Sequence, residues 1–237
     1  MFAHCTDAAC IRSNLAPRFH ALGLLTTRLP VTAGPSDPHI PILSTANLSA
    51  AKRILLYIGE STQDLGIFAY RTCGQEALAA GSCLNFAADA LKQGTDVAVV
   101  MANPGQPLWN RRNEKAMSFR SWHALPRKTA VGAPTRMGEK NKVPGHEDIE
   151  KHVESVFGFV GGQMAEGAKV ELLGICEGIE HGLGFLDCNW EEWKGKMGAM
   201  CIGSGHVWDI NQEVQNEELK SFMEKVGFCF STYLPTG

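Results

Sequence analysis

Apolar positions along the chain fall into two alternating patterns. Short continuous runs, each closed by a turn signal, read as buried strands. They are Arg53-Ile-Leu-Leu-Tyr-Ile58 ended by Gly59, Val97-Ala-Val-Val-Met101 ended by Asn103-Pro-Gly105, residues 169–175, Gly198-Ala-Met-Cys-Ile202 and Phe228-Cys-Phe-Ser231. Between them, apolar residues recur at helical spacing. Ser82 is predicted to cap a helix through Cys83, Phe86, Ala87 and Ala90 that stops at Gly94. A second helix resumes around His146, carries Ile149, Val153, Val156, Phe157 and Val160 on one stripe, and stops at Gly161-Gly162. A third runs from the turn at Cys176 to about Asp187, and a fourth from Glu217 to Val226. Strands alternating with helices predict an α/β fold, a mostly parallel sheet with helices on both faces. Ligands of such sheets sit at the carboxyl ends of the strands. Gly59, Asn103, Cys176 and His206 all directly follow strands, so they can converge on one crevice.

Two stretches fall outside the pattern. Residues 1–50 carry Pro30, Pro35, Pro38 and Pro41 with little periodicity, and read as an extended arm wrapping a core domain of residues 51–237. Residues 104–145 hold no clear regular element, but do hold Trp109, Trp122 and many cations. A structureless stretch of that length inside a compact domain reads as a lid or functional loop.

Charge sharpens the second point. The net charge is only −3, yet residues 101–145 hold nine Lys/Arg against two acids, and residues 146–237 hold six against sixteen. A basic insertion on an acidic half could draw an anionic substrate or nucleic acid, with its tryptophans stacking on bases. A solvated loop whose tryptophans pack onto the core is the plainer alternative. The eight cysteines are scattered without Cys-x-x-Cys spacing, which reads as buried reduced thiols rather than a disulfide framework or zinc module. No apolar run is long enough to span a membrane, and no secretory leader is visible, so an intracellular setting, cytoplasmic or nuclear, is expected. Neither a Walker-type Gly-Lys-Ser/Thr, a Gly-x-Gly-x-x-Gly after a strand, nor a His-Glu-x-x-His is present, and no cofactor or metal is expected.

The chemistry-bearing motif is Gly174-Ile-Cys-Glu-Gly178, between a strand and a helix. Strand, Gly-x-nucleophile-x-Gly, helix is the nucleophile elbow, here with cysteine as the nucleophile. The glycines allow a turn too sharp for neighbouring side chains, and a helix N-terminus favours thiolate. A cysteine nucleophile needs a base. His206 lies just past the following strand, with Asp209, or else Asp187, to orient its second nitrogen. The oxyanion site would use the amide of Glu177 and an amide of the turn Gly59-Glu60-Ser61-Thr62. Glu177 beside a thiolate raises the thiol pKa through its charge, or is itself an acid–base group. The competing reading makes Cys176 a small buried residue and His206 a structural strand cap.

Taken in order, these residues resemble the fungal Argonaute-binding-protein-two domain, an α/β-hydrolase-like domain. The resemblance rests on Asp64-Leu-Gly-Ile-Phe-Ala-Tyr70, Gly81-Ser-Cys-Leu84, Val99-Val-Met-Ala-Asn-Pro104, His146-Glu-Asp-Ile-Glu-Lys-His152, the elbow and Gly205-His206, over about residues 50–235. It implies a three-layer fold, a fungal and intracellular source, and scaffold or binding roles in silencing or chromatin complexes. The chain departs from the fold's usual plan. Glu60 stands where a histidine-glycine is common, and the sheet is expected to be truncated after its seventh core strand, so any triad must be rearranged. The leading expectation is a small-molecule enzyme in fungal specialised metabolism, performing hydrolysis or acyl transfer, with lyase or cyclase chemistry open to the same crevice. A non-catalytic subunit of a silencing or chromatin complex is the alternative.

Overall fold

Alternating side chains of the central strands divide the core in two. The computed structural model describes residues 8–126, 136–204 and 214–231. Among them the chain runs α1 (Ala8–Ala21), β1 (Leu24–Leu29), β2 (Ile40–Thr45), β3 (Arg53–Ile58), α2 (Tyr70–Gln75), α3 (Leu84–Leu91) and β4 (Val97–Met101). It continues β5 (Leu108–Asn110), β6 (Lys115–Met117), α4 (Phe119–His123), α5 (Ile149–Gln163), β7 (Lys169–Ile175), α6 (Glu177–Trp193), β8 (Met197–Ser204), α7 (Glu217–Val226) and β9 (Gly227–Ser231). Ile54, Leu56 and Ile58 point to one face with α5, α6 and α7, and Leu55 and Tyr57 to the other with α1 and α3. That period-two split lets one sheet serve two helical layers.

The seven-stranded sheet has the order β1-β2-β4-β3-β7-β8-β9. The strands from β4 to β9 are parallel, and β1 and β2 form an antiparallel edge. The fold is therefore three-layered, mostly parallel and α/β-hydrolase-like, and β9 is the last in chain order of the seven described strands of this sheet. The carboxyl ends of β3, β4, β7 and β8 lie side by side at its centre, the edge at which such sheets bind ligands.

Three helices are set by their ends. Asp148 caps α5 by accepting from Lys151 N–H at 2.8 Å, which starts the helix after His146 rather than at it. Asn216 caps α7 by accepting from Glu218 and Leu219 N–H. The elbow helix α6 runs past the expected stop near Asp187 to Trp193, bending at Asn189, where φ is −121° and ψ 22°. The extension buries Trp190 and Trp193 in the core. Similarly, α3 starts at Leu84 with Cys83 as its N-cap.

Residues 8–50 are not a loose arm. Residues 8–21 are helical, burying Ile11, Leu15 and Phe19, and β1 and β2 are integral to the sheet. The basic segment also differs from expectation, because its described residues include the β5–β6 hairpin and α4. It buries Trp109 (1 % exposed) and Trp122 (3 % exposed), so neither indole is presented for stacking. Cys10, expected as a thiol, is disulfide-bonded on the partly exposed side of α1, and Cys73 and Cys83 are buried thiols. Among the described residues no helix is long and apolar enough to cross a membrane.

Phe157 of α5 is fully buried, stacked on Phe185 at 4.4 Å and edge-on to Trp193 at 4.9 Å. Truncating it would leave a cavity between α5 and α6. Phe157→Ala should cost about 3–5 kcal/mol in urea-unfolding free energy, against less than about 0.5 kcal/mol for a surface change such as Lys92→Ala.

Candidate active site

The turn after β7 holds Cys176 at φ 48° and ψ −125°. Among the described non-glycine residues, only Glu114 shares a positive φ. Such a backbone costs of order 1–3 kcal/mol and persists only where surrounding structure over-determines it. Here that structure is visible. Cys176 N–H donates to Gly203 O of β8 at 2.7 Å, and Ile175 pairs with Gly203 across the β7–β8 ladder. A Cβ on Gly174 would sit 2.5 Å from the Ile179 Cβ, and one on Gly178 2.4 Å from Ile58 O and 2.5 Å from Gly59 O. Both glycines are required because α6 lies hard against the ends of β3 and β7. The partly buried thiol is thus mounted at the N-terminus of a 17-residue helix.

The neighbouring Glu177 reaches across to the turn after β3. Its Oε2 accepts a short hydrogen bond from Ser61 Oγ and a second bond from Ser61 N–H at 3.3 Å. The clasp joins residues far apart in sequence, so no local pattern announces it. It also occupies, with a carboxylate, one of the amides expected to bind an oxyanion.

Beneath the clasp, Gly59, Glu60 and Asn103 line one small cavity of about 10 Å³ with Tyr57 and Asp64, roughly the size of one water. Tyr57 and Cys83 lie in the same buried cluster, and burial pushes both groups' pKa values up. Asp64, 4 % exposed, accepts short hydrogen bonds from Arg12 of α1 and from the Tyr70 hydroxyl. The N-terminal helix therefore braces the turn that carries Ser61.

Asn103 holds the end of β4. Its side-chain amide donates to Pro41 O at 2.8 Å and Gln106 Oε1 at 3.0 Å, and its backbone N–H donates to His152 Nε2 at 2.9 Å. The His152 and His146 Nδ1 atoms are 2.9 Å apart, and His146 Nε2 is 3.3 Å from Ser155 Oγ. These contacts fix the tautomers. An acceptor Nε2 leaves His152 with its proton on Nδ1. That proton goes to His146 Nδ1, so His146 carries its own on Nε2. Burial lowers the His152 pKa to about 3, with the other ring a lesser cause, and the His146 pKa to about 4. The two histidines are six residues apart in sequence. They meet because Asp148 caps α5 between them, leaving His146 free to fold back.

Cys176, Glu177, Gly59, Glu60, Ser61 and Asn103 therefore cluster at the strand ends. His206 and Asp209 lie outside the described residues. Asp187, the alternative orienting acid, accepts from the N–H groups of Gln215 and Asn216 and so holds the start of α7. Among the described residues no group of three His, Cys, Asp or Glu could hold a metal ion. A larger cavity of about 700 Å³ lies between the basic segment and the start of α5, and His181 of α6 is on its wall.

The sequence matches the Arb2 domain over residues 3–232. The chain belongs to the Arb2 domain family. Among curated proteins, none matches this Arb2 domain in sequence. Solved structures similar to it include an esterase from Mycobacterium marinum, at 14% identity and TM-score 0.39, covering 82% of this chain and 48% of that one. This Arb2 domain thus spans about half the length of that esterase. A lidless α/β serine hydrolase from Xanthomonas campestris is similar at 11% identity and TM-score 0.36, covering 88% of this chain and 82% of that one. An α/β serine hydrolase homologue from Coxiella burnetii is similar at 12% identity and TM-score 0.34, covering 88% and 87%.

Two outcomes follow for the Arb2 domain. Gly178→Ala should destabilise it by about 1–3 kcal/mol through overpacking. Gly184→Ala, on the same helix with nothing within 4 Å of the added methyl, should be neutral or stabilising by up to about 1 kcal/mol; equal effects would mean that α6 does not press on β3. Both buried imidazoles have folded-state pKa values below the ordinary 6.5, so the unfolded chain binds more protons as pH falls. Their contribution is fully present above about pH 6.5 and is lost on acidification toward pH 4, at up to about 1.4 kcal/mol per pH unit for each ring. Imidazole ¹⁵N spectra at about pH 5.5 should show two neutral rings, protonated on Nδ1 in His152 and on Nε2 in His146.

Proposed function

We propose that this chain is an α/β-hydrolase-like enzyme in which Cys176 attacks the acyl or other electrophilic carbon of a small molecule. The observation that carries this reading is the Cys176 backbone, a non-glycine residue held at φ 48° by two obligatory glycines at a helix N-terminus. Strain of that kind is kept where a side chain must be presented at one point in space. In the proposed cycle the thiolate adds to the carbonyl carbon and a C–S bond forms. The leaving oxygen or nitrogen departs with a proton from the imidazolium of His206, with Asp209 orienting the ring. Water, or an acceptor hydroxyl or amine, then gives its proton to the imidazole and displaces the thiolate. Support for His206 comes from β8, which runs beside the elbow as far as Ser204.

The Glu177–Ser61 clasp sets a condition on this chemistry. An oxyanion at the elbow would meet the Glu177 amide and a carboxylate together, so the clasp has to open, or Glu177 has to carry a proton, before the second amide is available. The same observation favours a second reading. A permanently clasped elbow is an inert scaffold, and the chain is then a binding subunit, as its family resemblance suggests for silencing or chromatin complexes.

Alkylation separates the two readings. At neutral pH, iodoacetamide should modify Cys176 ahead of the other thiols. Glu177→Gln should speed that modification by roughly three- to tenfold by removing the adjacent negative charge. Turnover of activated esters or thioesters should vanish in Cys176→Ala. Slow alkylation in both proteins, with no turnover, would leave the scaffold reading.

A further inference from the structure

We propose that the cavity of about 700 Å³ between the basic segment and the start of α5 is a binding site for an apolar organic cation. This site goes beyond the elbow chemistry and stands whether or not Cys176 reacts. Its volume lies within the range of small-molecule sites. Its floor is hydrocarbon, from Pro107, Leu108, Phe119, Met137 and Ile149. Phe119 is 51 % exposed and Met137 42 % exposed, in a segment that buries Trp109 and Trp122. Both therefore present unburied apolar surface to the hollow, where a ligand would cover it.

Charge selects the ligand's sign. Although the segment is basic in sequence, among the described residues the wall carries the carboxylates of Glu139, Glu147, Asp148 and Glu150 against one ammonium, Lys142. Lys142 is already 2.9 Å from Glu139. Lys151, which does not line the cavity, approaches Glu147 at 3.5 Å and Asp148 at 3.8 Å. The α5 N-terminus offsets part of the remaining charge, and the wall keeps an acidic excess centred on Glu150. An anion would meet that excess at short range. An ammonium group on an apolar skeleton would pair with the rim while its hydrocarbon covers Phe119 and Met137, whose neighbourhood also offers an aromatic face to the cation.

The test uses three probes on one skeleton, 4-phenylbutylamine, 4-phenylbutanol and 4-phenylbutyrate, titrated into the full chain at low salt and pH 7 and followed by ligand-observed NMR. The amine should bind with Kd of about a millimolar or below and roughly tenfold tighter than the acid, with the alcohol between. The gap should narrow as salt rises. Phe119→Ala, at an exposed position, should weaken the amine several-fold with unchanged thermal unfolding, Glu150→Lys should erase the preference for amine over acid, and Ile149→Trp should fill the hollow and abolish binding. If Ile149→Trp fails to fold, the first two variants carry the test. Equal or tighter binding of the acid, no saturable binding of the amine, or binding indifferent to Phe119→Ala and Glu150→Lys would overturn the proposal. Repeating the titration after carboxamidomethylation of Cys176 separates this site from the elbow, because amine binding should survive the modification.

Discussion

The closeness of α6 to the ends of β3 and β7 is the constraint from which the rest of the site follows. Two side chains are missing so that a helix can touch strand backbone: at Gly178 against Ile58 and Gly59, and at Gly174 against Ile179. With the helix seated there, the one residue between strand and helix has no ordinary backbone conformation left, and Cys176 takes a strained one. The aromatic cluster of Phe157, Phe185 and Trp193 supplies burial behind the helix that can hold such strain.

Electrostatics at the elbow point in two directions. The helix N-terminus and its amides favour negative charge at the sulfur, whereas the adjoining carboxylate disfavours it. Glu177 meets its own hydrogen-bonding demand by turning toward Ser61. The turn bearing Ser61 is in turn anchored by Asp64 to Arg12 and Tyr70. The elbow, the post-β3 turn and the N-terminal helix therefore form one mechanical unit, although they lie at residues 176, 61 and 12 of the sequence.

The parallel core was legible because buried strands leave unbroken apolar runs closed by Gly or Asn-Pro, and the elbow because its glycines bracket a cysteine at a strand-to-helix switch. The arm was not legible. In β1 only the end residues Leu24 and Leu29 are buried, since it is an edge strand, and Pro41 sits inside β2. Pro17 within α1 argues against helix, although Ile11, Leu15 and Phe19 at four-residue spacing carry a helical signal. The histidine pair was missed because the helix was started at His146, when Asp148 was the better capping residue. The Ser61–Glu177 clasp and the Arg12–Asp64 pair are tertiary side-chain pairings that periodicity and spacing do not encode.

The two histidines have one more property, set by a single backbone amide. Because Asn103 N–H can only give, each later donor in the line toward Ser155 is compelled to point the same way. Reversing the line would leave His152 Nε2 carrying a hydrogen aimed at another hydrogen. The rings are therefore a polarised strut between β4 and α5 and not a wire for shuttling protons, and their value to the molecule lies in holding Asn103 still at the mouth of the crevice.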